Sequence, residues 1–427
     1  MWINRDKKTK TVEKRTDMEN KKLTKLEKYW IMYDVGNSAF VMLIATIIPI
    51  YFNYLAKSAG ISEVNYLAYW GYAASVSTVI VAAIGPVLGS IADMQNYKKP
   101  LFTISMMVGV IGCAVMSFPT SWVIFLAVFV IAKVGYNASL IFYDSMLVDI
   151  TSTDRMDEVS SQGYAWGYIG SCIPFILSLV LVLMYEKIGI TMHMAMTGAF
   201  FLNAVWWAVV TIPLLRNYRQ KNYVAVPSHS VKNSFKRLGQ TFMDVHKEKK
   251  IFWYLLAFFF FIDGVYTIIE MATAYGSALG LDSTGLLLAL LVTQIVAFPC
   301  ALICAKLSGK YPTERLIGVC IVAYIGIALF AIQLDKQWEF WTLAVLVGMF
   351  QGAIQALARS YFAKIIPAEK SGEYFGIYDI CGKGASFMGT TLVGIVAQVT
   401  GVANAGVAVI AVLFVIGYIL FKKAVRA

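Results

Sequence analysis

The chain has 427 residues, 59% of them hydrophobic and 14% charged, where a soluble domain carries about 25% charged residues. That composition excludes a disordered chain, a collagen-like chain and a small disulfide scaffold. The net charge of +11, from 36 Lys and Arg against 25 Asp and Glu, fits either nucleic acid or membrane topology, and placement decides between them. All six cysteines (Cys113, Cys172, Cys300, Cys304, Cys320, Cys381) lie in apolar runs and read as small reduced hydrophobes.

A membrane-spanning helix needs about 20 mainly apolar residues, because the hydrocarbon core is about 30 Å thick. Twelve such runs follow in chain order, at 30–55, 64–92, 100–118, 121–149, 162–185, 193–215, 251–277, 284–305, 315–333, 338–363, 373–399 and 403–421. The polar first 29 residues and the long first run do not make a cleavable signal peptide. Of the 36 Lys and Arg, only Lys57, Lys187 and Lys336 fall in loops on the far side, and Lys133 and Lys383 lie inside spans. The rest share the face of the N-terminus, so both termini are expected in the cytoplasm, in a multi-pass protein of the cell (plasma or inner) membrane. The positive charge is then a record of topology, and no nucleic-acid partner is expected.

The longest connection, 216–250, separates six spans from six. Val231, Phe235, Leu238, Phe242 and Val245 recur in it at steps of four and three, with Lys232, Lys236, Arg237 and Lys247 off that stripe. This predicts a basic amphipathic helix on the membrane face, with a calmodulin-type target as the alternative. The chain divides into a cytoplasmic segment 1–29, a six-helix bundle 30–215, a linker 216–250 and a second bundle 251–427. An internal parallel repeat is also visible. Gly85-Pro86 precedes Asp93 near the end of span 2 as Phe298-Pro299 precedes Lys306 in span 8, and spans 5 and 11 are both glycine-rich.

This all-α layout of twelve transmembrane helices, six plus six around a long central loop, resembles the major facilitator superfamily fold. The turn after span 2, Gly89-Ser90-Ile91-Ala92-Asp93-Met94-Gln95-Asn96-Tyr97-Lys98-Lys99, resembles that superfamily's Gly-x-x-x-Asp-Arg-x-Gly-Arg-Arg signature. It keeps the acid and the basic pair, but Met94 replaces the Arg and the second Gly is absent. The resemblance implies that Asp93, with Lys98 and Lys99, locks a cytoplasmic gate against the positive start of span 11. The matching loop of the second half, Lys306 to Lys310, has no acid. Four further segments (Tyr33 to Phe40, Ser160 to Tyr168, Ile262 to Ile268, and Gln351 to Ser360 with Glu373 to Gly376) resemble the family of the yeast autophagy-related vacuolar amino-acid effluxer and its bacterial relatives.

Ionisable side chains in hydrocarbon cost at least about 2.5–3.5 kcal/mol, so each is a candidate for function. Away from span ends they are Asp34, Lys133, Asp144, Asp263, Glu270, Asp379 and Lys383, on spans 1, 4, 7 and 11. None lies on spans 3, 6, 9 or 12, the outer supports in the superfamily, so the charges are expected to face a wet cavity. Asp263 lies about 18 Å into span 7 at 1.5 Å per residue, near the midplane, with Thr267 and Glu270 on its face. Lys133, Asn137 and Asp144 form a stripe on span 4, and Gln351 and Lys383 reach mid-depth on spans 10 and 11. Asp34, about one turn into span 1 with Asn37 on its face, reads as a gate or proton-entry group. Arg359 and Glu373, at the ends of spans 10 and 11, are gate candidates, and Asp144 joins them.

Asp263, with Glu270, is expected to carry a coupling proton, while Lys133 or Lys383 meets a substrate carboxylate or pairs with that acid. Asp379 and Lys383, at i and i+4, serve the same site or form a static pair. Met192, His193, Met194 and Met196 suggest a soft-metal cluster, but steps of two do not converge on one helix face, so no metal is expected. Cys300 and Cys304 share a face and read as packing. No cofactor is expected, and no nucleophile–base pair marks an enzyme. The expectation is an alternating-access secondary transporter, monomeric in the lipid bilayer, moving a small organic solute with H+. Amino-acid export is what the resemblance implies. The alternatives are a facilitator or lipid flippase, and a membrane sensor or scaffold without transport.

Overall fold

A computed structural model describes residues 22–225, 239–241, 243–278 and 280–427. The stripe of the expected linker helix, from Val231 to Phe242, falls outside these residues. Among the described residues, twelve helices are long and apolar enough to cross a membrane. They are α1 (Lys25–Ser58), α2 (Tyr69–Ala92), α3 (Lys98–Val115), α4 (Trp122–Ile150), α5 (Thr153–Leu183), α6 (Met192–Asn217), α7 (Lys249–Ala272), α8 (Leu288–Ser308), α9 (Thr313–Ile332), α10 (Gln337–Ile365), α11 (Ala368–Thr400) and α12 (Asn404–Arg426).

Local chemistry sets their ends. Thr24 and Glu27 form a reciprocal capping box, Glu27 N donating to Thr24 Oγ1 at 3.2 Å and Thr24 N to Glu27 Oε2 at 2.6 Å. That cap starts α1 at Lys25, ahead of the apolar run, so Asp34 lies about two and a half turns inside the helix rather than one. At Thr46 α1 breaks (φ −136°, ψ −72°), with the Thr46 hydroxyl bonded back to the Met42 carbonyl at 2.5 Å. Thr191 caps α6, and Gly401, at φ +71°, ends α11 in a conformation that side chains disfavour.

The packing repeats with a shift of six helices. In the first half α1 lies against α5 and α6, α3 against α4 and α6, α2 against α4, and α5 against α6. In the second, α7 lies against α11 and α12, α9 against α10 and α12, α8 against α10, and α11 against α12. Between the halves α2 meets α11 as α5 meets α8, and α4 meets α11 as α5 meets α10. Exchanging the halves leaves this pattern unchanged, which is a parallel repeat about a two-fold axis. Twelve spans also bring the start of α1 and the end of α12 to the same side, the termini side.

Candidate functional site

Four carboxylates of the first half reach into the second half on the termini side. Asp93, fully buried after α2, accepts from Gly372 N at 2.7 Å and Glu373 N at 2.9 Å. These amides belong to the first turn of the helical part of α11, where no intrahelical carbonyl is available to them. Buried Lys98 stands beside it, its Nζ donating to Ser371 Oγ at 2.9 Å and lying 4.0 Å from Asp93 Oδ1. Burial pushes the Asp93 carboxyl up to about 7 and Glu373 adds to the rise, while Lys98 and the two amides oppose it. The structure brings Asp93, Lys98 and Glu373 into one cluster at the start of α11. Lys99 departs from the implied lock, half-exposed and outside the cluster. The two lysines are adjacent in the first turn of α3, about 100° apart around its axis, so one faces inward and the other does not.

Arg359 fills the second contact. Its Nη1 donates to Asp144 Oδ1 at 3.0 Å, Nη2 to Asp34 Oδ2 at 3.3 Å and to the Ser160 carbonyl at 3.1 Å, and Nε to Ser160 Oγ at 2.9 Å. The guanidinium is sandwiched by the Trp30 and Tyr164 rings at 4.6 and 4.5 Å. Asn37 Nδ2 donates to the Tyr33 carbonyl at 3.0 Å and to Asp34 Oδ1 at 3.4 Å, fixing that carboxylate. Gly163 admits the cluster: a Cβ there would lie 2.4 Å from Asp34 Oδ2.

The third contact is made by an acid with no local signal in the sequence. Asp157, in the first turn of α5, accepts from Lys364 Nζ at 2.6 Å, Thr313 Oγ1 at 2.5 Å and Ser360 Oγ at 2.6 Å, tying α5 to α9 and α10. It occupies the two-fold counterpart of the Asp93 contact, with the acid moved from the loop to the helix start. Asp149, at the end of α4, was missed as well. An acid in a first turn reads as an ordinary partner of the helix dipole, and nothing local in the sequence reveals its distant partners.

Deeper in the membrane, charges of both signs gather between the halves. Lys383 pairs with Asp379 along α11 and reaches the Asn137 carbonyl of α4 at 3.4 Å. Lys133, half-exposed over the Phe129 ring, has Glu270 and Lys383 as charged neighbours. Glu270 is exposed and Asp379 half-exposed, whereas Asn137 and Gln351 are buried. Gln351 Nε2 donates to Gln294 Oε1 at 3.3 Å, linking α10 to α8.

Asp263 corrects the expectation that all these charges face water. It is fully buried between α7 and α11, Oδ1 accepting from Gly389 N at 3.0 Å and Thr267 Oγ1 at 3.2 Å. Its Oδ2 has no hydrogen-bond partner among the described residues. The docking depends on Gly389, where a Cβ would lie 2.2 Å from Oδ1. Helical periodicity identified the face carrying Asp263 but not the glycine that lets α11 cover it.

The model of the family described as "Vacuole effluxer Atg22 like" matches residues 24–154 and 148–426. The chain belongs to this family. The chain is 41% identical over 405 residues to the "Uncharacterized MFS-type transporter YxiO" of Bacillus subtilis (strain 168), covering 94% of this chain and 95% of that one. It is 21% identical over 413 residues to "Autophagy-related protein 22" of Coccidioides immitis (strain RS), covering 78% of this chain and 68% of that one. Among solved structures, the transporter FucP in its outward conformation superposes with a TM-score of 0.71 at 10% identity, covering 94% and 97% of the two chains. The human organic anion transporter MFSD10 superposes with a TM-score of 0.64 at 14% identity, covering 93% and 99%. At such identities the likeness shows the fold, which is that of the major facilitator superfamily. The protein is therefore a multi-pass, Atg22-like transporter of that superfamily.

Proposed function

We propose that the protein is a proton-coupled secondary transporter of amino-acid-sized solutes, working as an exporter in the plasma membrane with both termini in the cytoplasm. The observation that carries this reading is the pairing of a sealed termini side with mid-membrane charges of both signs. Lys133, Lys383, Glu270 and Asp379 come from α4, α7 and α11, which belong to different halves, so rocking the halves changes their surroundings. A solute bearing both an ammonium and a carboxylate group finds complementary charge there. The description of the matched family supports efflux, the bacterial relative supports the plasma membrane, and the Lys and Arg distribution supports the orientation.

Asp263 is the proton carrier in this scheme. An ionised carboxylate with one oxygen lacking a partner in an apolar seam is costly, and a bound proton removes the charge. Sliding of α11 past α7 lifts the Gly389 amide off the carboxylate and opens it to water, so proton release follows the change of access. The seal joins Asp34, Asp93, Asp144, Asp157 and Lys98 of one half to polar groups of the other, contacts that break when the halves rock apart.

Thermal unfolding of the purified protein against a panel of the twenty common amino acids and, separately, phospholipids tests the substrate class. At least one amino acid is expected to raise the unfolding midpoint by a few degrees in a concentration-dependent way. Stabilisation by phospholipids alone would turn the assignment to a flippase. No response to either would favour a scaffold.

A further inference from the structure

The two-fold relation between the halves holds residue by residue on α4, α5, α10 and α11. α4 and α10 begin at Trp122 and Gln337, the short 3₁₀ starts of α5 and α11 at Thr153 and Ala368, and their α-helical parts at Met156 and Ser371, each pair 215 residues apart. The same step takes Asp144 to Arg359, which bond to each other across the axis at 3.0 Å. It takes Tyr164 to Asp379 and Tyr168 to Lys383. The salt-bridged pair on α11 is therefore matched on α5 by two phenols, their ring centroids 6.1 Å apart. Lys133 of α4 is matched by Gly348 of α10.

At mid-depth, charge is thus confined to one wall of the space between the halves. Over 340–358 α10 has no Asp, Glu, Lys or Arg, and over 159–183 neither does α5. The second wall is a chain of neutral polar groups. Gln355 Nε2 donates to Tyr168 Oη at 3.3 Å and to the Gln351 carbonyl at 3.1 Å. Gln351 in turn reaches Gln294 of α8, whose own Nε2 is turned to the Met42 sulfur of α1. A thioether is a weak acceptor, so a ligand oxygen readily takes this donor from it. Tyr168, Gln294 and Gln355 are half-exposed, within reach of a solute. The two walls border one space: Tyr266 of α7 has Asp379 and Glu270 as charged neighbours and itself lies near Tyr168.

We propose that Tyr168, Gln294 and Gln355, positioned by Gln351, form the specificity subsite for the side chain of the solute, and that they select an amino acid with an uncharged carboxamide side chain. The inference rests on the reading of the charged wall as the seat of the ammonium and carboxylate groups. A solute seated there turns its side chain to the neutral wall. A carboxamide carries both a donor and an acceptor, and the wall of primary amides and a phenol offers partners for each. A charged side chain finds no counter-ion on this wall and is dehydrated without compensation. An aliphatic one leaves polar groups of the wall without partners.

Thermal unfolding of the purified full-length protein, titrated with asparagine, glutamine, aspartate, leucine and alanine, tests the subsite. Asparagine, aspartate and leucine are close in shape and differ in polarity and charge. Half-maximal stabilisation by asparagine or glutamine is expected at a concentration about tenfold or more below that for the other three, a margin that one or two net hydrogen bonds supply. Alanine, whose methyl group bonds to nothing on the wall, is the reference within each protein. Gln355→Leu is expected to bring the ratio of the alanine to the asparagine constant close to one. Tyr168→Phe, which removes a single hydroxyl, is expected to lower it in the same direction and serves where Gln355→Leu does not fold. Stabilisation by amino acids without a carboxamide preference, or a preference intact in both variants, overturns the subsite and leaves the charged-wall reading standing. No stabilisation by any of the five, alanine included, removes that reading, and the subsite falls with it.

Discussion

Arg359→Ala is expected to unseal the termini side. Arg359 is 2% exposed and holds two carboxylates of the opposite half, so truncation leaves Asp34 and Asp144 beside each other without their cation. Breaking a buried pair in this way costs about 3–5 kcal/mol, over a hundredfold in the closed-to-open ratio. Loss of the stack between Trp30 and Tyr164 adds about 0.5–2 kcal/mol. Lysine should not restore closure, because one ammonium cannot reproduce the fork that reaches Asp144, Asp34 and Ser160 together. Cys381, half-exposed two residues from Asp379, reports the change. Its alkylation by a membrane-impermeant maleimide applied from the termini side should accelerate strongly in Arg359→Ala. Equal rates in variant and parent would mean that Arg359 does not hold the seal.

Gly89→Ala should act on the same surface by a steric route. A Cβ on Gly89 would lie 2.1 Å from the Gly372 carbonyl oxygen and 2.6 Å from its carbon, and both are main-chain atoms that cannot rotate away. In return, a Cβ on Gly372 would lie 2.5 Å from the Gly89 oxygen and 2.8 Å from Asp93 Oδ1. The two helices must part by about 1 Å or more to restore ordinary contact, which breaks the amide bonds to Asp93. Transport is expected to fall at least tenfold while the protein still folds and inserts, trapped with the termini side open. Gly394→Ala on α11, with nothing within 4 Å of the added carbon, is the control and should transport normally. Normal transport by Gly89→Ala would show that α2 and α11 need not close this tightly.

The parts of this architecture that the sequence makes legible are those written in local patterns. Apolar run length determines the spans, and Lys133 or Asp263 stand out because hydrocarbon rarely tolerates charge. Asp93 is recognisable because a short motif surrounds it. What stays hidden depends on contacts made far along the chain. Asp157 looks like an acid favouring a helix dipole until Thr313, Ser360 and Lys364 are brought to it. Asp149 looks misplaced at a helix end until the linker supplies its donors. The burial of Asp263 is fixed by the missing side chain of Gly389, and a glycine in a glycine-rich helix gives no sign of which neighbour needs it. The capping box at Thr24 was readable in principle, and it would have placed Asp34 deeper in α1.

In the proposed cycle, transport is driven by a proton carried on Asp263. Proteoliposomes given a radiolabelled mixture of the twenty common amino acids, with and without an imposed pH gradient, test it for the parent and for Asp263→Asn. The parent should accumulate label only with the gradient and lose it on addition of a protonophore. Asp263→Asn should still exchange label in counterflow but fail to accumulate it against a gradient. Gradient-driven accumulation by Asp263→Asn equal to that of the parent would contradict the account.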